Sequence, residues 1–461
     1  MKTSKYNLAT ENPATGELIL FNTLYGSTVV VEPENRGDVL ALLEKPHAIL
    51  DGNDGLIRLR DELMRLKFVI NSDTDELALL MNRKAAGIND RNRLDVILMP
   101  NLNCNFACPY CYESHDPAKK MSAEVRENLI RWLGKAIPKH KVVLLNWFGG
   151  EPLLSPDDIL SITAFVRDKC KEHDVRLLTN ITTNGYLFSP EIIRKLVLLE
   201  LFSYQITVDG PPNTHNKTRI LKSGKGTFDR VFANILALAR ADNRVRVSLR
   251  VNYNHNNIYQ IPELLNMFPQ DTRSQLRVVF EPVFGDPELS ATKNMEGNEI
   301  SRAITEYYDL AASLGYDVRL GGIGVGKLVY CYAERENQYI VDFKGDVFKC
   351  SVTDFASANR VGTIEAEGDF VRDESNWSDW FGLAPFDQNC QECTFLPLCM
   401  GGCRKDRIKN GATGSYCSLV PTNTSHALKS IAFGSFGEVL KREVEVSRCC
   451  AKGSQVDKVC G

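Results

Sequence analysis

MPNLNCNFACPYCYE, residues 99–113, places Cys104, Cys108 and Cys111 at a C-x3-C-x2-C spacing at the end of an apolar run, DVILMP (95–100). Three thiolates this close in one loop can wrap a cubane iron–sulfur cluster and leave its fourth iron without a protein ligand. An open iron can bind a small molecule, whereas a fully ligated cluster mainly carries electrons. The competing chemistry is structural zinc, which wants four closed ligands. Glu113 and His115 stand close enough in sequence to be candidates for the fourth.

The residues that follow set this loop in a repeating frame. DVILMP (95–100), VVLLNWF (142–148), RLLTNITT (176–183), FSYQITV (202–208), VRVSLRV (245–251) and LRVVFE (276–281) are apolar runs of strand length. Helical patterns such as SAEVRENLIRWLGKAI and FDRVFANILALAR follow most of them. Six βα repeats imply a parallel sheet with helices outside, either an open doubly wound sheet or a barrel. In both, functional groups gather where strands end and loops begin.

The chain has 461 residues, enough for two or three domains, with 43% apolar and 25% charged residues, as in an ordinary globular protein. A formal net charge of −3 gives no bulk attraction to nucleic acid or membrane. No run of about 18 apolar residues suggests a membrane span. The start, MKTSKYNLATENPATGEL, lacks the apolar core of a signal peptide, so a cytoplasmic location is expected. Fourteen cysteines are the anomaly. In a reducing compartment clustered cysteines more often bind metal than form disulfides. Only Cys170 stands alone, on the helical pattern ILSITAFVRDKC, and it reads as a buried or inert thiol.

The cysteine spacing, with Tyr110 before its last member and a sixfold βα series after it, resembles the radical S-adenosylmethionine superfamily. That resemblance implies a partial (β/α)6 TIM-like barrel. It also implies that Cys104, Cys108 and Cys111 are catalytic cluster ligands, with the amino and carboxylate groups of S-adenosylmethionine on the fourth iron. One electron from the reduced cluster would then release a 5′-deoxyadenosyl radical that abstracts hydrogen. Further segments match in order. WFGGEPLL (147–154) resembles the family's GGEP motif, which implies cofactor contacts at Gly149, Gly150 and Glu151, the last accepting from the cofactor's ammonium. TTNG (182–185) implies the same for Thr183 and Asn184. TVDGPPNTHNKTR (207–219) implies it for Thr207 and Arg219, and RVN (250–252) for Arg250 and Asn252. The plainer readings are that Asp209 caps a turn and that Arg250 pairs with a surface carboxylate.

A second cysteine group contains Cys331, Cys350, Cys390, Cys393, Cys399, Cys403 and Cys417, with a hairpin pattern at YIVDFKGDVFKC (339–350). Scattered apolar residues look too few to fold this region unaided, which points to metal as a staple. Its spacing resembles the SPASM extension of radical enzymes that act on peptides and proteins, implying two auxiliary 4Fe–4S clusters. By that resemblance Cys390, Cys393, Cys399 and Cys417 close one cluster, and Cys331, Cys350 and Cys403 hold the nearer one. The nearer cluster lacks a fourth cysteine here. Its last iron is left for a substrate thiolate or for a residue such as Glu334 or Glu336.

Residues 1–93 read as a separate small α+β or winged-helix-like domain. LILFN (18–22), STVVVE (27–32) and KFVIN (67–71) are its strand candidates, helices are expected near 35–45, 56–66 and 74–85, and RKAAGINDRNR reads as a linker. The division continues with a barrel at 94–318, a cluster domain at 319–425, and a helix and tail at 426–461. Cys449, Cys450 and Cys460 in that tail are incidental thiols, further ligands or a substrate mimic. The front domain resembles leader-binding elements of peptide maturases, which implies a precursor peptide as partner and a reductant such as flavodoxin or ferredoxin. The expected activity is crosslinking of a ribosomally made peptide, first as a cysteine thioether. Carbon–carbon or carbon–oxygen crosslinks, or oxidation as in sulfatase maturation, come next. Sulfatase-maturing members carry an aspartate after the cysteine matching Cys350, where this chain has Ser351 with Asp354 the nearest acid. An electron-transfer or scaffold iron–sulfur protein is the alternative of another class.

Overall fold

Strict alternation decides the barrel strands. Val143, Leu145 and Trp147 are buried while Val142, Leu144 and Asn146 are only partly so, the period-two pattern of a strand with helices on one face. The computed structural model of the chain describes residues 1–11, 15–48, 53–283, 297–318, 328–381, 386 and 388–409. Its strands are β1 (Lys2–Thr3), β2 (Asn7–Glu11), β3 (Leu18–Asn22), β4 (Thr28–Val31), β5 (Val69–Ile70), β6 (Arg93–Leu98), β7 (Val142–Trp147) and β8 (Arg176–Thr183). They continue with β9 (Ser203–Thr207), β10 (Arg246–Tyr253), β11 (Leu276–Pro282), β12 (Gln338–Val341), β13 (Asp346–Phe348), β14 (Gly362–Ile364) and β15 (Phe370–Arg372).

Strands β6 to β11 lie side by side in chain order, every neighbouring pair parallel. Helices Ala123–Ala136, Pro156–Glu172, Pro190–Leu198, Phe228–Ala241 and Gly297–Ser313 are among the crossovers and flanking elements. The six apolar runs are these six strands, and among the described residues no named strand pairs with the outer side of β11, in keeping with a partial barrel. Ser122 and Ser189 start two of the helices by accepting from the backbone N–H groups of Val125 and Ile192. Trp147, fully buried, donates its indole N–H to Thr163 Oγ1 at 3.1 Å, fixing the helix Pro156–Glu172 against the end of β7. Cys170 on that helix is buried. No helix among the described residues is long and apolar enough to cross a membrane.

The cysteine-rich region extends the same sheet. β12 pairs parallel to β6 from Gln338↔Asp95 to Val341↔Leu98, then turns back through the expected hairpin into β13, β14 and β15, all antiparallel. The Asp342 carboxylate makes the turn by accepting from the N–H groups of Lys344 and Asp346. Ile340, Val347, Phe348, Val361, Ile364 and Trp377 join the barrel's own core. Residues 338–381 borrow an existing apolar surface, which only the tertiary pairing supplies.

The first 88 residues form an α+β unit. β2, β3 and β4 make a three-stranded antiparallel sheet and β1 pairs with β5. Helices Arg36–Glu44, Asp54–Arg65 and Glu76–Ile88 complete it. Asn53 and Asp75 cap the last two by accepting from Leu56 and Ala78 N–H. Leu18, Leu20, Val31, Val39, Leu42, Leu63, Phe68 and Val69 form a core separate from the barrel's. The stretch RKAAGI is no linker: it is the last turns of the helix Glu76–Ile88, with Lys84 buried, and only Asn89–Asn92 separates it from β6.

Candidate functional site

The cysteine loop leaves β6 and is stitched by backbone bonds before any ligand is considered. Leu102 N–H donates to Lys119 O at 3.0 Å, Met121 N–H to Pro100 O at 2.8 Å, and Ala107 N–H to Ile220 O at 2.8 Å. Cys104 is buried, Cys108 half-buried and Cys111 exposed. Cys104 Sγ accepts from Phe106 N–H at 3.4 Å and from Asn184 Nδ2 at 3.9 Å. Burial pushes the Cys104 thiol up to about 12 and raises Cys108 and Cys111 as well, while the Arg219 cation pulls all three down. Metal ligation removes this burden, because it holds the thiolate outright.

The two glycines of WFGGEPLL act by contact with this loop. A Cβ on Gly150 would stand 2.2 Å from Asn103 O, and one on Gly149, at φ +114°, 2.5 Å from Asn101 O. With no side chains there, Glu151 N–H reaches Asn103 O at 2.7 Å. The Glu151 carboxylate is turned into the protein. It is fully buried and accepts from Thr183 Oγ1 (2.7 Å), Asn184 N–H (2.7 Å) and Leu153 N–H (2.9 Å). Glu151 is therefore the joint between the ends of β7 and β8. Asn184 passes that order to the cysteine loop, donating to Asn105 Oδ1 at 2.7 Å.

A second joint forms at the ends of β9 and β10. Buried Asp209 accepts from the Tyr110 hydroxyl, from Thr218 Oγ1 (3.0 Å) and from Asn252 N–H (3.3 Å). Arg219 donates to the Tyr110 hydroxyl at 3.0 Å. Arg250 pairs with Asn252 Oδ1 at 2.8 Å rather than with a surface carboxylate. Thr207, largely buried, ends β9 beside Arg250 in register. Asp209 is thus a hub linking the cysteine loop to two strand ends, not a simple turn cap. Sequence reasoning also passed over Asn101, Asn103 and Asn105, whose alternation in MPNLNCN was the available signal: all three bind the neighbouring strand ends through side chain or backbone.

The residues fit an anionic cluster with a ligand carrying a carboxylate. Arg219 is 8% exposed, lies 5.4 Å from the Phe106 ring centroid, and its buried Nε–H has no partner. A buried cation with an unused donor beside three thiols calls for an acceptor there. Glu113, whose carboxyl burial raises to about 7, likewise has a buried oxygen without a partner, and His115 Nε2 stands 3.4 Å from Cys111 Sγ. Among the described residues no three His, Cys, Asp or Glu side chains gather as ligands of a single ion.

In the second region Cys331, Cys350 and Cys403 come within electrostatic reach of one another, and burial lifts the Cys331 thiol to about 11. The residues after the first two touch: Tyr332 and Ser351 share a hydrogen bond of 2.7 Å. The Glu334 carboxylate is already engaged, with Lys84 Nζ at 2.9 Å and Tyr330 N–H at 2.9 Å, and Glu336 lies 3.9 Å from Arg372. Cys390, Cys393 and Cys399 sit on the short helices Gln388–Glu392 and Leu396–Cys399 and the turn between them. Cys417, Cys449, Cys450 and Cys460 lie outside the described residues.

Residues 99–268 match the family model of the radical SAM superfamily. Over 351 residues the chain is 23% identical to a cysteine-type anaerobic sulfatase-maturating enzyme of Clostridium novyi, covering 70% of this chain and 91% of that one. It is 24% identical over 328 residues to the mycofactocin maturase of Mycobacterium tuberculosis, covering 67% and 77%. Among solved structures, native anSMEcpe with bound AdoMet superposes with a TM-score of 0.56 at 18% identity, covering 76% of this chain and 99% of that one. Streptococcus suis SuiB bound to its precursor peptide SuiA gives 0.52 at 16%, covering 91% and 100%. With a cysteine loop after the first strand of a six-strand parallel sheet, the chain carries a radical SAM domain over residues 99–268, and the matches indicate an enzyme that uses S-adenosylmethionine, the domain implying a 4Fe–4S cluster.

Proposed function

We propose that this enzyme modifies a peptide or protein, and that its substrate is a ribosomally made precursor whose leader docks on the N-terminal unit. When bound, the cluster and S-adenosylmethionine supply a 5′-deoxyadenosyl radical able to take a hydrogen atom from carbon. Cys104, Cys108 and Cys111 would ligate that cluster, and Arg219, with its unused Nε–H, would hold the carboxylate of S-adenosylmethionine. Thr183, Asn184, Thr207, Arg250 and Asn252 would orient the rest, with Tyr110 and Asp209 keeping Arg219 and Asn252 in place. Cys331, Cys350 and Cys403 would hold one auxiliary cluster, and Cys390, Cys393 and Cys399, with Cys417, the other. A flavodoxin or ferredoxin is the class of electron donor, and the cytoplasm the expected place.

The observation that carries the peptide reading is the sheet of the N-terminal unit. β4 is one of its two edges, and Thr28, Val29 and Val30 on it are only half-buried. An apolar edge strand offers N–H and C=O groups to an added extended chain. The likeness to SuiB, which takes in most of this chain, supports the same assignment. The favoured product is a thioether between a cysteine sulfur and a carbon. Where sulfatase-maturing relatives are expected to carry an aspartate, Ser351 and Tyr332 form a neutral hydroxyl pair, which favours crosslinking over the sulfatase-type oxidation that remains the second reading.

The test is incubation of the reconstituted, reduced enzyme with S-adenosylmethionine and a candidate cysteine-containing precursor. A mass loss of two hydrogens with a thiol that no longer alkylates supports the thioether. The same loss with the thiol intact points to a carbon–carbon or carbon–oxygen bond, and a new aldehyde to sulfatase-type oxidation. No 5′-deoxyadenosine under any condition would leave only the electron-carrier alternative.

A further inference from the structure

Tyr6, between β1 and β2, is fully buried, and its hydroxyl has no hydrogen-bond partner. A phenol is a donor at neutral pH, and leaving one buried and unpaired is unfavourable. The nearby Glu76 is not available to it, since its two oxygens accept from Ser4 Oγ (2.5 Å) and Lys5 N–H (3.0 Å). What surrounds Tyr6 is the second cysteine region. Tyr6, Leu24 and Leu80 form one buried cluster with Phe386, Leu396 and Met400, and Cys390 and Cys399 pack against it.

The N-terminal unit also grips the turn between Cys390 and Cys399 by its carbonyls. Lys5 Nζ donates to Gln391 O at 3.2 Å. Thr23 Oγ1 donates to Thr394 O at 2.6 Å and also reaches Tyr6 O at 3.3 Å. These two carbonyls flank Cys393, and Cys393 is close enough to Tyr6 for its charge to act on the phenol.

We propose that the N-terminal unit forms one wall of the site at Cys390, Cys393 and Cys399, and that the Tyr6 hydroxyl donates a hydrogen bond to a sulfur of the cluster held there. This rests on the reading of those cysteines as cluster ligands. Hydrogen bonds to cluster sulfurs stabilise the reduced, more negative state and so raise the reduction potential. Tyr6 is then a positioning and tuning residue for an electron-transfer centre, placed by the same unit that receives the peptide.

The experiment compares full-length reconstituted wild type with Tyr6→Phe, by iron and sulfide analysis and by a redox titration followed by electron paramagnetic resonance. The expected result is unchanged iron per chain and one cluster shifted to a more negative potential, with the others unmoved. Site-specific 3-fluorotyrosine at position 6, a stronger donor, is expected to shift the same potential in the opposite direction, and it serves if Tyr6→Phe does not fold. Identical potentials in all these proteins overturn the role of Tyr6 while leaving the ligand reading intact. An iron content in Cys390→Ala equal to that of the wild type overturns the ligand reading itself.

Discussion

The two cysteine regions are assembled in opposite ways. The first takes all its thiols from one loop, braced by strand ends from the same barrel: Gly149 and Gly150 press on its backbone, and Asn184 and Arg219 hold its side chains. The second gathers its thiols from Cys331, Cys350 and the segment 390–403, and leans on the N-terminal unit through Lys84, Thr23 and Lys5. A local site of the first kind tolerates change elsewhere in the chain. A composite site of the second kind inherits every weakness of the contacts that bring its pieces together.

That contrast can be broken most directly at a ligand. Cys104→Ser is expected to abolish 5′-deoxyadenosine formation and remove about four irons per chain, while the second region keeps its own; uniform loss of all iron would erase the distinction. Next in size is Lys84→Met. Lys84 bonds Glu334 at 2.9 Å and Met400 O at 2.7 Å, with both side chains about 5% exposed or less. Removing one partner of a buried pair costs about 3–5 kcal/mol. Chemical denaturation would measure it, and iron should be lost from the second region but not the first.

Gly150→Ala asks the reverse question. Its Cβ would meet Asn103 O at 2.2 Å, an overpacking worth about 1–3 kcal/mol. The expected effect is poorer S-adenosylmethionine binding by calorimetry with the second region's iron unchanged. The smallest effect is a gain. Burial raises the Asp342 carboxyl from 3.8 to about 6, against the pull of two backbone N–H groups. The folded state therefore binds the proton more tightly than the unfolded one, and stability falls as pH rises from about 4 to 6. Asp342→Asn, which keeps the acceptor, is expected to stabilise by about 1–3 kcal/mol at pH 7 and by little at pH 4, seen as a higher Tm at the upper pH only.

Much of the barrel was legible because its strands alternate or run apolar and its helices carry caps; the six runs and the six strands differ by a residue or two at most ends. β2, NLATE, escaped because its residues are polar and it borrows its order from β3. The segment RKAAGI looked like a linker because its charges suggest solvent, whereas Lys84 finds a buried partner 250 residues away that no local pattern reveals. At the site, sequence order located the strand-end motifs but not the direction in which side chains point. Glu151 joins the ends of β7 and β8, and Asp209 was read as a cap and joins three segments. Both depend on contacts between residues far apart in sequence.

The buried bond from Lys84 bears on engineering. Front units of this kind invite exchange, as interchangeable adaptors that would send one catalytic body to a new peptide. In this chain the N-terminal unit and the cysteine-rich region are joined by a buried ion pair, a common core and two carbonyl contacts. A graft that ends at the apparent boundary would deliver a new address and remove a foundation. The seam for any chimera belongs inside the N-terminal unit, with Tyr6, Thr23 and the helix Glu76–Ile88 left in the recipient.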